Sequence, residues 1–294
     1  MATAEPAEAV RALAPVLGEP DGPPVPLEGG ITNRNYRVRW GGREVVLRLP
    51  GKDTELLGID RRTECEATRA AAAAGIGPEV VAFEPRLGCL VTLFIEGGPV
   101  TAEELRGRIP ELAEILRRIH AGPPLPTAFD PFAVVEAYRR VAEGRGGEIP
   151  PAVAELAPAA LRIRAEVGGS EHAPVPCHND LLTANLLDDG ERLRIVDWEY
   201  AGMGDPYFEL ANVAVKNEFT RDDEAALLEG YWGAATPERL HALRLMRVMA
   251  SYWEGMWGVV QATVSELDFD FRGYAERHLG RALAEARREA ARAG

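Results

Sequence analysis

Apolar side chains alternate with polar ones in the first third of the chain and recur every three or four residues in the rest. Residues 35–40 (NYRVRW) and 43–49 (REVVLRL) flank Gly41-Gly42, the pattern of a hairpin with one buried face. The segments VVAFE (80–84) and CLVTLFIEG (89–97) read as two further strands. An alanine-rich stretch over 61–75, stopped by Gly75, reads as a helix among them. A short helical pattern from Ala7 to Leu17 precedes all of this, followed by the linker GEPDGPPVP. From Thr101 the period changes. TAEE is a capping box, and a helix is expected over Ile109–His120 after a break at Pro110. Helical patterns continue at 131–142, 151–167, 222–232, 237–264 and 271–292. Strands first and helices afterwards predict an α+β chain of two lobes. The smaller, residues 1–96, carries an antiparallel sheet; the larger, residues 97–294, is mainly helical; they divide near Gly97-Gly98.

Composition narrows the function. With 294 residues, 46% hydrophobic and 27% charged, the chain has ample core for a globular protein. A net charge of −13 argues against a nucleic-acid partner, which calls for a basic face, and suits a small cationic ligand. No apolar run approaches the roughly 18–20 residues of a membrane span, and the first residues, MATAEPAEAVRAL, lack the features of a secretory signal. Three scattered cysteines fit a reducing compartment, so a cytoplasmic location is expected. Lys52 and Lys216 are the two lysines; every other cation is arginine. The oligomeric state is not set by the sequence.

The candidate chemistry lies in VPCHNDLLTANLL (175–187) and the hairpin it enters. Leu186-Leu187, the turn Asp188-Asp189-Gly190 and Leu193–Val196 form that tight hairpin. Asn185 sits just before its first strand and Asp197 just after its second, so the two should lie within roughly 10 Å of each other. Asp180, on the loop entering the hairpin, can reach the same point. Two carboxylates and an amide oxygen make a hard oxygen site, suited to magnesium rather than zinc.

His178-Asn179-Asp180-Leu181-Leu182-Thr183-Ala184-Asn185 resembles the HxDxxxxN catalytic loop of kinase-like phosphotransferases, and Ile195-Val196-Asp197-Trp198-Glu199 stands where protein kinases carry their metal-binding segment. Arginine in that loop, glycine after Asp197 and an APE motif are missing. The block DWEYAGMGDPYFELAN (197–212) is instead similar to the choline/ethanolamine kinase and aminoglycoside phosphotransferase families, over roughly residues 27–280. The resemblance implies a two-lobed protein-kinase-like fold using ATP and Mg²⁺. It makes Asp180 the catalytic base and Asn185 and Asp197 the metal ligands, with His178 and Asp205 as braces. Arg48 would position the phosphates, paired with a helix glutamate. Counting back from Gly77-Pro78 selects Glu64, with Glu66 as the alternative. Gly30, Thr32 and Asn33 would belong to the phosphate-covering loop, and Leu93 and Ile95 to the hinge that reads adenine.

The acceptor pocket is expected on the helix SYWEGMWGVVQ (251–261), where Glu254, Trp257 and Gln261 share a face. Choline kinases carry a similar helix with two tryptophans that cage the trimethylammonium. Trp257 matches the second; Glu254 replaces the first, with Trp253 one position away. The acceptor is expected among Asp180, Glu199, Glu209 and Glu254, with Trp257 beside it and no lysine nearby in the motif. Such a pocket favours an amino alcohol, choline or ethanolamine, over an anion. An aminoglycoside, thiamine or sugar acceptor is the alternative within the superfamily. A catalytically inactive nucleotide-binding module is the alternative of another class, and the joint presence of Asp180, Asn185 and Asp197 speaks against it.

Overall fold

A computed structural model describes residues 4–28, 32–167 and 173–293. Helix α1 (Pro6–Leu17) leads into strands β1 (Val25–Pro26), β2 (Asn33–Trp40) and β3 (Arg43–Pro50). Helix α2 (Arg61–Ala73) comes next, then β4 (Val80–Glu84) and β5 (Cys89–Leu93). The five strands form one antiparallel sheet in the order β1-β2-β3-β5-β4. Trp40 pairs with Arg43 across the tight turn. Gly41 and Gly42 both have positive φ, 59° and 74°, as the primed hairpin turn requires. Alternation along β3 buries Val45, Leu47 and Leu49 in a core shared with Ala9 and Leu13 of α1. The same alternation turns Arg48, also buried, to the other face.

The rest of the chain holds β6 (Gly98–Pro99), α3 (Ala102–Gly107), α4 (Ile109–His120), α5 (Pro131–Gly144), α6 (Ala152–Val167), β7 (Val175–Cys177), β8 (Leu186–Asp188), β9 (Leu193–Ile195) and β10 (Gly202–Gly204). It ends with α7 (Pro206–Lys216), α8 (Arg221–Trp232), α9 (Pro237–Val264) and α10 (Phe271–Ala293). The expected capping box is present, Thr101 with Glu104. The helix break falls at Arg108 instead of Pro110. Pro110 sits in the first turn of α4, where its missing N–H costs nothing. Long α9 is the spine, packed by α5, α7 and α10. Gly255 and Gly258 bring α10 close: a Cβ on Gly255 would lie 2.6 Å from Leu279 and one on Gly258 3.0 Å from Tyr274.

Helix α7 is an element the period of the sequence did not announce. Every residue from Pro206 to Val215 is buried, so no polar stripe marks it. Its signal is local: Asp205 caps it by accepting the Tyr207 N–H at 2.7 Å, and Pro206 occupies the first position. Leu57, Ile59, Ala67, Ala71 and Ile76 belong to the larger, C-terminal core and not to that of the sheet. Hydrogen bonds tie them there: Ile195 N–H donates to the Ile76 carbonyl at 2.9 Å, and the Arg194 guanidinium donates to the carbonyl of Gly77 at 2.7 Å. Among the described residues no helix is long and apolar enough to cross a membrane.

Candidate active site

The loop 178–185 begins where β7, paired antiparallel with β10, ends. Glu209 of α7, 1% exposed, lies beneath it. Its Oε1 accepts the backbone N–H of His178 at 2.6 Å and of Asn179 at 2.8 Å. Its Oε2 meets His120 Nε2 at 2.5 Å. Glu209 was expected to face the acceptor; it braces the loop from behind instead, because two backbone donors and an imidazole satisfy its buried charge there. Burial opposes that charge, but His120 and the backbone donors outweigh it and hold the carboxyl below its ordinary pKa. His120, Cys177 and Glu209 cluster closely, yet both imidazole nitrogens are engaged, Nδ1 by the Tyr231 hydroxyl at 2.5 Å. His178 Nδ1 accepts the Asp180 N–H at 3.1 Å, so its Nε2–H donates to the Val196 carbonyl at 3.0 Å. Asn179 takes the left-handed conformation, φ 65°, and its amide donates to the Tyr200 carbonyl at 2.9 Å.

Asn185 donates its Nδ2 to the Asp180 carbonyl at 2.9 Å, which leaves Oδ1 as its donor atom toward a metal. Leu186 pairs with Ile195, and Val196 N–H bonds the Asn185 carbonyl at 3.1 Å. Asn185 and Asp197 therefore flank the open end of the hairpin, away from its turn. Asp197 also has positive φ, 67°, and keeps its side chain 22% exposed. The donors are all oxygens, and protein supplies only one full carboxylate here. That fits magnesium, which keeps phosphate and water ligands, and does not fit zinc.

Where nucleotide is expected, Arg48 bridges two acids. Its Nη1 lies 2.7 Å from Glu64 Oε1, and its Nη2 pairs with Asp197. Glu66 pairs with the exposed Arg62 instead, so Glu64 is the partner. Burial opposes the charge of Arg48, while Asp197 and Glu64 raise its pKa. Arg61 completes the cluster, 2.7 Å from Glu64 and 3.2 Å from Glu199. Sequence reading passed over it; its (i, i+3) spacing to Glu64 is the signal. Glu199, expected at the acceptor, accepts the Asn33 amide at 2.8 Å and the Thr32 hydroxyl. Two guanidinium groups draw it to the N-terminal side. Burial, with Asp197 adding, pushes its pKa up to about 7 against the pull of Arg48 and Arg61. The N–H of Leu93 is spent on Glu79 at 2.8 Å and that of Phe94 on Glu44 at 3.0 Å. Within the expected hinge these two N–H groups are therefore already used. Gly30 lies outside the described residues.

Where the acceptor is expected, the structure overturns the expectation that no lysine stands near the acids. Lys216, the last residue of α7, places its Nζ 2.7 Å from Asp180 Oδ1 and 2.5 Å from Glu254 Oε1. It also lies 5.5 Å from the centroid of the Trp253 ring. With α7 unread, Lys216 had no place in space. Glu254, 3% exposed, also accepts the Tyr274 hydroxyl. Trp257 donates its indole N–H to the Tyr200 hydroxyl at 3.0 Å and packs on Phe271 and Tyr274. The tryptophan beside a cation is thus Trp253, one turn earlier. Burial raises the pKa of Asp180, and Lys216 opposes the rise. Burial works against the charge of Lys216, but Asp180 and Glu254 outweigh it and raise its pKa.

Residues 24–247 match the phosphotransferase enzyme family. A crystal structure of a choline/ethanolamine kinase family protein from Mesorhizobium loti superposes with a TM-score of 0.79 at 32% identity, covering 95% of this chain and 94% of that one. A crystal structure of LicA in complex with AMP superposes with a TM-score of 0.78 at 22% identity, covering 96% of this chain and 97% of that one, a likeness of fold. Protein LicA of Haemophilus influenzae is 26% identical over 207 residues, 69% of this chain. The match spans 61% of the length of that protein.

Proposed function

The chain belongs to the phosphotransferase enzyme family, within it to the choline/ethanolamine kinases, and from that membership we propose that it transfers the γ-phosphoryl group of Mg·ATP to a hydroxyl of choline or a related amino alcohol such as ethanolamine. The observation that carries the reading is the fixed loop: His178, Asn185 and Glu209 hold the backbone on both sides of Asp180, so its carboxylate is presented with little freedom. Asp180 orients the acceptor hydroxyl and takes its proton as the bond to phosphorus forms. Burial, by raising its pKa, makes it a better base. Asn185 Oδ1 and the Asp197 carboxylate would hold magnesium. That ion, when bound, neutralises charge on the phosphates. Arg48, held by Glu64, aims a guanidinium at the same phosphates. Thr32 and Asn33, tied to Glu199, fix the strand end that covers them. The backbone at Ile95 meets adenine.

The acceptor's amine would approach Glu254 and Trp253, where the Lys216 ammonium lies. ATP consumption measured against choline, ethanolamine, thiamine, aminoglycosides and sugars tests this. Turnover is expected with an amino alcohol. Turnover confined to a sugar or an aminoglycoside overturns the acceptor, and failure to bind Mg·ATP overturns the kinase reading itself.

A further inference from the structure

The ammonium of Lys216 has three N–H donors, and three kinds of partner surround it: the Asp180 carboxylate, the Glu254 carboxylate and the Trp253 indole. A carboxylate beside an aromatic ring is what would receive the ammonium of a cationic acceptor. The side chain is only 11% exposed, so this cation is built into the pocket wall and does not sample solvent. Glu254 is engaged at both oxygens, Oε1 in the ion pair with Lys216 and Oε2 by the Tyr274 hydroxyl. Asp180 is engaged at Oδ1 by the same lysine and at Oδ2 by the Asn185 amide at 3.4 Å. The chain writes nearly all its other cations as arginine, so a lysine here, a compact point charge on a flexible stem, stands apart. It is carried at the end of α7, whose Glu209 braces the loop of Asp180, so the two charges are fixed relative to each other.

Resting on the kinase reading, we propose that Lys216 is the residue that sets which acceptor charge the pocket takes. Its ammonium stands in the place of the acceptor's, and a cationic acceptor must displace it from Glu254 and Asp180. The pocket around Asp180 therefore gains little from a positive charge on the acceptor. Removing the charge at position 216 opens the two carboxylates to an incoming ammonium.

The test compares choline with its uncharged isostere, 3,3-dimethylbutan-1-ol, by KM in turnover and by Kd in calorimetry with Mg·ATP analogue present. Four proteins are compared: the unmodified chain, Lys216→Met, Lys216→Gln and Lys216→Arg. In the unmodified chain the two alcohols are expected to bind alike. In the Met and Gln variants choline is expected to gain about tenfold or more over the isostere, the scale of a desolvated cation–π contact, while the Arg variant keeps the original ratio. A choline preference of that size already present in the unmodified chain overturns the proposal. So does an unchanged ratio in every variant, including one where turnover falls equally with both alcohols, which makes Lys216 a group that serves the phosphate or the base. Failure of both alcohols to bind any variant overturns it as well. Mg·ATP binding, measured separately, tells this apart from failure of the kinase reading: if nucleotide binds, the kinase stands and only the role of Lys216 falls. If the Met variant does not fold, the unmodified chain and the Gln and Arg variants still decide.

Discussion

Asp180 must be held still and also kept basic, and neighbours pull it both ways. Burial raises its affinity for a proton, while Lys216 at 2.7 Å lowers it. Asp180→Asn keeps the size and the hydrogen bond to Asn185 but cannot take a proton. Turnover is expected to fall about a hundredfold or more with Mg·ATP affinity retained; a kcat near that of the unmodified enzyme would remove Asp180 from the mechanism. Asp197 is different, for it pairs with Arg48 and on the proposed reading would hold the metal. Asp197→Ala is expected to abolish metal-dependent nucleotide binding, and calorimetry showing unchanged Mg·ATP affinity would contradict that. Arg48→Lys keeps a charge but loses the fork that reaches Glu64 and Asp197 together. Its KM for ATP is expected to lie between those of the unmodified enzyme and Arg48→Ala, and a value equal to that of Arg48→Ala would mean that the fork, and not the charge, is what matters.

Helix α7 does three jobs from one short length: Asp205 caps it, Glu209 pins the loop, and Lys216 ends it beside Asp180 and Glu254. Glu209 carries a pH prediction. Its folded pKa lies below the ordinary value of 4.5, so its charge stabilises the fold above that value. The contribution is lost as pH falls from 4.5 through the lower folded pKa. Glu209→Gln is therefore expected to cost about 1–3 kcal/mol at pH 7, with the gap to the unmodified chain narrowing below pH 4.5 in urea titrations; a gap independent of pH would show that the carboxylate's charge is not what holds the loop. Gly255→Ala tests the contact of α9 with α10. The added Cβ would meet Leu279, so a loss of about 1–3 kcal/mol is expected, and an unchanged urea midpoint would show that α10 can yield. Elements with a visible period were legible in the sequence: the Gly41-Gly42 hairpin, the alanine helix, the long C-terminal helices. Helix α7 was not, because burial on every side erases the period, and β7 and β10 are too short to have one. That gap hid Lys216. The nearness of Asn185 to Asp180 and to the end of β9 was legible because a tight hairpin turns sequence spacing into proximity. The partners of Glu199 and Glu209 were not, since those contacts cross 166 residues in one case and 89 in the other.

At the scale of the molecule the two lobes are sewn together by charge as well as by core. Arg48 and Arg61 reach from the sheet side to Asp197 and Glu199, and Tyr138 reaches back to the Leu57 carbonyl at 2.9 Å. Neutralising the first set should loosen the join without harming either core. Glu199→Gln is expected to raise the KM for ATP several-fold while the urea midpoint shifts little, about 1 kcal/mol or less once the paired guanidinium groups relax toward Glu64 and Asp197. Loss of cooperative unfolding in that variant would mean the cluster is a structural keystone instead. The allocation of Leu57, Ile59, Ala67, Ala71 and Ile76 to the C-terminal core has a consequence for how the chain is made. A ribosome delivers it from the amino end. The sheet's own core draws on residues no later than Cys89 and Val91, so it can close early. The segment around Ile76 must wait for Ile195, whose N–H it receives. At synthesis rates of about 5–20 residues per second, the roughly 120 residues between them take about 6–24 seconds to emerge. For that interval the nascent sheet carries Ala67, Ala71 and Ile76 without the core that later covers them.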